Sequence, residues 1–180
     1  MKKLSLISIL VLFSVFFSGC ISYWIFPEDR EVSANEEFTV DVVLDRCLGP
    51  FKVWGEEVSY CSDTSDVYGV AFDLNYDPAL LEVMEVDVSK SVLSGATVRT
   101  GFRNSDVENG KLVVGISKQG QVSGDTGEGL IATITFRAKA AGTTDLVFDD
   151  PHLIDSKGRF YVGWPTFQAG LHSGMVTVLP

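Results

Sequence analysis

Beyond Cys20 no window of the chain keeps a 3.6-residue apolar period for three turns, whereas alternation with a period of two recurs along its length. In residues 37–44, Phe38, Val40, Val42 and Leu44 alternate with Thr39, Asp41 and Val43, the pattern of a strand with one face in a core. Residues 67–76 repeat it: Val70, Phe72, Leu74 and Tyr76 face one way, and Gly69, Ala71, Asp73 and Asn75 the other. Residues 130–138 do so again, with Leu130, Ala132, Ile134, Phe136 and Ala138 inward and Thr133, Thr135 and Arg137 outward. Shorter runs fall at 98–102, 111–117, 144–148 and 174–179. About eight strands with no helix long enough to cover a sheet predict an all-β domain of two sheets packed face to face.

Turn chemistry orders these runs. Asn109-Gly110 tolerates positive φ at both residues and predicts a hairpin, or a slightly longer connection, between 98–102 and 111–117. Asp77-Pro78 suits a capped single helical turn before Leu81. In residues 81–88 the alternation slips at Met84 and Glu85, and a β-bulge there would keep Leu81, Val83, Val86 and Val88 all inside. Residues 46–66 break the pattern with Pro50, Gly55 and two Cys, and are expected to form an inserted, disulfide-pinned loop. Residues 117–129 are expected to be a Gly-rich mobile loop, and 151–172 an irregular stretch.

The N-terminus adds a different signal. Lys2 and Lys3 precede an apolar stretch from Leu4 to Phe17 broken only by Ser5, Ser8 and Ser14, and Ser18-Gly19 then lead to Cys20. This order resembles the lipobox of prokaryotic lipoproteins, in which the Cys is lipidated and becomes the new N-terminus; Phe17 stands where that motif usually has Leu. The competing expectation is an uncleaved anchor, because residues 4–26 carry no charge and Tyr23 and Trp24 suit an interface. Either way the domain is tethered in the cell envelope and faces outside the cytoplasm. The expected division is a signal peptide over 1–19, a membrane-proximal linker over 20–30 and a sandwich over 31–180.

Composition narrows the chemistry. Of 180 residues 46% are apolar and 21% charged, which fits one globular domain. The net charge of −10 would repel a nucleic-acid backbone, so no nucleic-acid partner is expected. In an oxidising compartment Cys47 and Cys61 are the two thiols left after lipidation of Cys20, and they are expected to be bonded to each other. They lack the CxxC spacing and the nearby His of a metal or redox pair.

No enzyme signature emerges, and no catalytic residue, metal or cofactor is assigned. His152 and His172, the only imidazoles, sit near loops without a spaced third ligand. Asp149-Asp150 and Glu56-Glu57 are neighbours that point apart on a strand, and 24 acidic residues make chance pairs inevitable. Residues 124–129 match neither calcium nor phosphate ligand spacing. Trp54, Tyr60 and Trp164 could stack on sugar rings as a polysaccharide-binding platform, although sandwich Trp residues more often pack at the end of a core.

Two stretches carry a family resemblance. Residues 69–83, GVAFDLNYDPALLEV, look like the third strand and following turn of cohesin domains, and residues 129–139, GLIATITFRAK, are similar to their later strand with its Gly-x-(x)-Ala-x-Ile-x-Phe pattern. Their order and separation agree as well, so the resemblance spans roughly residues 31–179. It implies a jelly-roll sandwich of eight to nine strands that is not an enzyme and binds a dockerin-type protein partner through one sheet face. By position that face would present Gly69, Ala71, Asp73 and Asn75, flanked by Arg99 and Arg103 and by Val113, Gly115 and Ser117. The small Gly69 and Ala71 stand where well-known cohesins place polar hydrogen-bonding groups, and the 46–66 insertion is a further departure. Such a receptor could serve a polysaccharide-degrading assembly; a sugar-binding module using the loop aromatics and an envelope structural or adhesion domain are the alternatives that remain open.

Overall fold

The computed structural model describes residues 22–26, 28–45, 47–53, 56–61, 66–98, 106–126, 128–162 and 171–180, with side chains outside 22–24, 47–53, 56–61, 98 and 160–162. Two sheets pack face to face. The smaller runs β13 (Leu171–His172), β1 (Ser22–Phe26), β3 (Glu37–Asp45), β10 (Gly129–Ala138), β7 (Leu81–Asp87). The larger runs β2 (Asp29–Ser33), β14 (Gly174–Leu179), β11 (Gly142–Asp155), β6 (Val67–Asn75), β9 (Lys111–Ser117), β8 (Thr97–Val98), with β12 (Phe160–Val162) on the far end of β11. A separate hairpin pairs β4 (Cys47–Val53) with β5 (Glu56–Cys61).

Alternation explains the core. Phe38, Val40, Val42 and Leu44 of β3 and Ala132, Ile134, Phe136 and Ala138 of β10 meet Val70, Phe72, Leu74 and Tyr76, together with Leu112, Val114, Leu146 and Phe148 of the larger sheet. Three aromatics lock the middle: Phe136 stacks on Phe38 at 5.8 Å and takes Tyr76 edge-on at 5.5 Å. The slip in β7 is a bulge, since pairing passes from Thr135↔Glu85 to Phe136↔Val83 and Met84 is left over. Leu81, Val83, Val86 and Val88 all pack into the core and Met84 turns out, as the broken alternation predicts.

Four expectations are corrected. Ser22–Phe26 belongs to the sandwich, paired with β3 and β13 and with Ile25 fully buried, so residues 22–30 are not a linker. Residues 47–53 and 56–61 pair as antiparallel strands rather than forming a loop, with Cys47 and Cys61 as direct Cα partners at the open end of the hairpin. β11 runs through Pro151 to Asp155; the proline lies in a bulge, where its missing N–H leaves no ladder bond unmade. Asn109-Gly110 closes a 3₁₀ turn, Val107–Asn109, with Gly110 at φ 77° against the Tyr76 carbonyl where no Cβ fits. The antiparallel pairing expected of the flanking runs holds where it is described, at Thr97↔Ser117 and Val98↔Ile116.

The loop before β10 is pinned. Val67 and Asp125 exchange both backbone hydrogen bonds at 2.9 Å, Asp66 Oδ1 accepts from the Gly124 N–H at 2.7 Å, and Asp125 Oδ2 accepts from the Ser94 N–H and Lys118 Nζ. Burial pushes the Asp125 carboxyl up, but the Lys118 and Ser94 donors outweigh it and hold the group below the usual carboxylate range. The Gly124 N–H and Ser156 hydroxyl do the same for Asp66. These depressed carboxyls add stability that is complete above the unfolded value of about 3.9 and is lost as pH falls through the lower folded values. His172 adds a shallower slope, because burial pushes its imidazole down and the unfolded ring takes up a proton first, below about pH 6.5. Urea midpoints measured from pH 8 to 3 are therefore expected to decline gently below about 6.5 and steeply below about 4, the steep part shrinking in Asp125→Asn. A flat profile through pH 4 would show that these contacts do not form.

Candidate functional site: the outer face of the larger sheet

Each sheet has an outer face, and the two differ in chemistry. On the smaller sheet Arg137 bridges Glu37 at 2.6 Å and Glu82 at 3.5 Å, and the Thr133 hydroxyl donates to Asp41 at 2.7 Å. These pairings with flanking Thr39, Thr135 and Glu85 make most of it an internally satisfied polar surface; Phe26 on β1 and Met84 on the edge strand β7 are exposed.

The larger sheet brings the residues expected from the sequence together in register. On β6 and β9, Asp73 lies opposite Val113, Ala71 opposite Gly115, and Gly69 opposite Ser117, while Asn75 faces Lys111. The pleat puts them on one side because Val70, Phe72, Leu74, Leu112, Val114 and Ile116 occupy the core side. The centre is flat, since Ala71 and Gly115 project a methyl group and nothing. Arg99, Arg103, Trp54 and Trp164, like Cys20, lie outside the described residues, and Tyr60 is described in backbone alone, within β5.

Gly69 contributes space. A Cβ there would meet Ile154 Cγ1 at 2.9 Å and Cδ1 at 3.0 Å, so the Ile154 side chain lies across it and the surface at that point is isoleucine. Ile154 comes from the second half of β11, which falls in the 151–172 stretch expected to be irregular. Val147, Asp149, His152 and Ile154 stand opposite Asn75, Asp73, Ala71 and Gly69. Continued alternation, with Phe148 and Leu153 buried on either side of the bulge, was the available signal. On the far side β14 adds Met175, which faces Asp145, and Leu179. Val147, Met175 and Leu179 are 42%, 40% and 43% exposed, large apolar side chains on one face.

Charge is concentrated between these apolar groups. Asp73, only 8% exposed, pairs with Lys111 Nζ at 2.5 Å. The hydrogen bond and charge of Asp73, and the more distant Asp149 and Asp150, hold the Lys111 ammonium above its usual range. An open cleft of about 600 Å³ adjoins the platform beyond Ile154, lined by Tyr68, Val122, Asp155 and Ser156. Its rim is built by Asp155, which accepts from the Lys157 and Arg159 N–H groups and from the Arg159 guanidinium, closing the turn between β11 and β12. Among the described residues no group of three or more His, Cys, Asp or Glu is placed to hold a metal ion. A small, flat, partly apolar sheet face with charged pairs inside it can accept a protein surface.

A family model, Cohesin domain, matches residues 57–159, more than half of the chain and the segment that supplies β6, β9 and β11. The chain belongs to the cohesin family. Solved cohesins share the fold across nearly the whole domain. A type I cohesin–dockerin complex from Clostridium thermocellum aligns at TM-score 0.61 with 13% identity over 89% of this chain and 99% of that one. The sixth cohesin of scaffoldin B from Acetivibrio cellulolyticus, in complex with a dockerin, aligns at 0.59 with 17% identity over 89% and 99%. A non-cellulosomal cohesin from the hyperthermophilic archaeon Archaeoglobus fulgidus aligns at 0.56 with 14% identity over 90% and 93%. No curated protein matches the sequence. Cohesin modules are non-catalytic protein-binding domains, in keeping with the absence of an enzyme signature from the sequence.

Proposed function

We propose that this cohesin is a membrane-tethered receptor that captures a dockerin-type protein module on the outer face of its larger sheet. The observation that carries the reading is the asymmetry of the two faces: one is mostly closed by its own ion pairs, the other is small-centred and partly apolar, with Val147, Met175 and Leu179 40–43% exposed. Apolar area that no described element of the chain covers marks an interaction surface. Charged pairs within it fix register more than they add affinity. Titration of the domain with a purified dockerin module is the test. Saturable one-to-one binding is expected; retention by a polysaccharide gel, abolished by Trp54→Ala or Trp164→Ala and without protein capture, would replace the receptor with a sugar-binding module.

The tether is part of the proposal. With residues 22–26 committed to β1, the uncharged stretch left to span a bilayer shrinks to 4–21, at the short end of the usual range, which favours cleavage and lipidation at Cys20. The direct cross-strand pairing of Cys47 with Cys61 supports a disulfide between them, since opposed antiparallel residues have Cα atoms about 4.5–5.5 Å apart. Such a bridge would close the β4–β5 hairpin at its open end and remove on the order of 3 kcal/mol of unfolded-state entropy by the chain-entropy estimate. Intact mass spectrometry of membrane-extracted protein reads both features. It should show an N-terminal diacylated Cys20 and a mass two hydrogens below the dithiol; a chain starting at Met1, or two alkylatable thiols, would contradict the respective half.

A further inference from the structure

Strand β11 crosses the middle of the platform with the sequence Asp149-Asp150-Pro151-His152. Pairing with β6 passes from Asp149↔Asp73 directly to His152↔Ala71, so Asp150 and Pro151 form a two-residue bulge with no ladder partner. Asp150 holds φ at 48°, a left-handed conformation that side chains other than glycine adopt at a cost, and it does so before a proline, whose ring normally drives its predecessor to extended backbone. The Asp150 carboxyl is 70% exposed, and among the described residues its near partner is the His152 ring, which lies on the side of its own main-chain oxygen; its own N–H is taken by Asp149 Oδ1 at 2.9 Å. His152 folds back: Nδ1 lies 2.8 Å from the Asp150 main-chain oxygen and 3.7 Å from Asp150 Oδ1. A carbonyl oxygen only accepts, so the proton in that hydrogen bond belongs to Nδ1.

We propose that the Asp150–Pro151 bond is a self-cleavage site. The Asp150 carboxylate oxygen attacks its own main-chain carbonyl carbon, closing a five-membered ring, while the carbonyl π electrons move to the oxygen that His152 Nδ1–H already contacts. Collapse re-forms the carbonyl and breaks the C–N bond. Pro151 nitrogen leaves as a secondary amine, taking its proton from the imidazolium or from solvent acid, and the cyclic anhydride remains on Asp150. Water then opens the anhydride to a new α-carboxylate and the original side-chain carboxylate, so the net change is hydrolysis of one peptide bond.

Three features drive the step. The nucleophile is tethered to its target, which replaces a bimolecular encounter. A donor is in place where negative charge develops. The strained φ of Asp150 is released when the bond breaks. Among the described residues the charged groups on the strands around His152 are Asp149 and Asp150 on its own strand, Asp73 on β6 and Lys111 on β9, which pairs with Asp73. Because the departing Pro151 nitrogen must gain a proton while the Asp150 carboxylate attacks, general-acid catalysis makes the rate rise as the pH falls from 7.5 to 5. Scission would cut the partner platform at its centre; that consequence rests on the receptor reading, whereas the cleavage itself does not.

The chain contains its own control. Asp77-Pro78 is the same dipeptide, but Asp77 is outside the left-handed region, its Oδ1 is engaged by the Ala79 N–H at 2.8 Å, and Ala79 stands where His152 stands in the other site. The folded domain is incubated at pH 5 and pH 7.5, with folding followed by circular dichroism and products by intact mass. The expected product is a fragment beginning at Pro151, formed at least tenfold faster than one beginning at Pro78 and faster at pH 5 than at 7.5. His152→Ala and Asp150→Glu should each slow it at least tenfold, and unfolding in urea at pH 5 should bring the two bonds within about twofold of each other. Equal cleavage of the two bonds in the folded protein, no Pro151 fragment at pH 5, or an undiminished rate in His152→Ala would overturn the proposal. The wild-type ratio decides even if a variant fails to fold.

Discussion

Ala71→Arg is expected to weaken partner binding at least a hundredfold while leaving the thermal midpoint within a few degrees of the parent. Ala71 lies at the centre of the platform between Gly115 and His152, and the face is flat there because neither β6 nor β9 projects bulk. A long cation at that point would hold a docked surface away from Val113 and Val147 and desolvate a charge without a designated partner. A hundredfold loss corresponds to about 2.7 kcal/mol, within the range of central interface positions. The fold is expected to survive because the neighbours in sequence, Val70 and Phe72, carry the core side. Titration calorimetry with a dockerin module, beside thermal melts, separates the two effects. Undiminished binding by folded Ala71→Arg would remove this face from the account.

The largest effect on stability is expected at the opposite side of the sandwich. Phe136→Ala should cost about 3–5 kcal/mol, because the ring is fully buried and no neighbour can fill its place without losing its own contacts. Its stacking partner Phe38 and edge partner Tyr76 come from the two sheets, so the deletion loosens both layers at once. For a domain with stability in the ordinary range this is a large fraction of the total. Urea unfolding at pH 7 gives the number; a loss below 1 kcal/mol would mean that the core is not assembled around this aromatic group.

Strands with one face in the core were legible in the sequence, and the reasons for the failures are physical. In β3, β6, β9 and β10 the partner side is apolar and the outer side polar or small, so the alternation survives in the letters. Even the bulge at Met84 left a trace, as a slip of one residue. β1 was hidden because Ser22–Phe26 continues an apolar run that a membrane-directing segment explains equally well. The second half of β11 was hidden by Asp-Asp-Pro, residues that normally end a strand; here the bulge absorbs both the proline and the positive φ. The candidate site shows the same division. Ala71, Asp73, Val113 and Gly115 were placed by parity alone, whereas the facing Val147, Asp149 and His152 required the pairing of β11 with β6, separated by more than 70 residues in sequence. Gly69 shows where parity misleads, because the face it lies on is covered there by Ile154.

The two sheet faces make opposite claims about where a partner binds, and amide hydrogen exchange of the domain with and without a bound dockerin module distinguishes them. Protection is expected at residues 71–75, 113–117 and 147–152, the strands of the larger sheet, with exchange on β3, β10 and β7 unchanged. Protection confined to β3, β10 and β7, or to the β4–β5 hairpin, would contradict the assignment of the binding face.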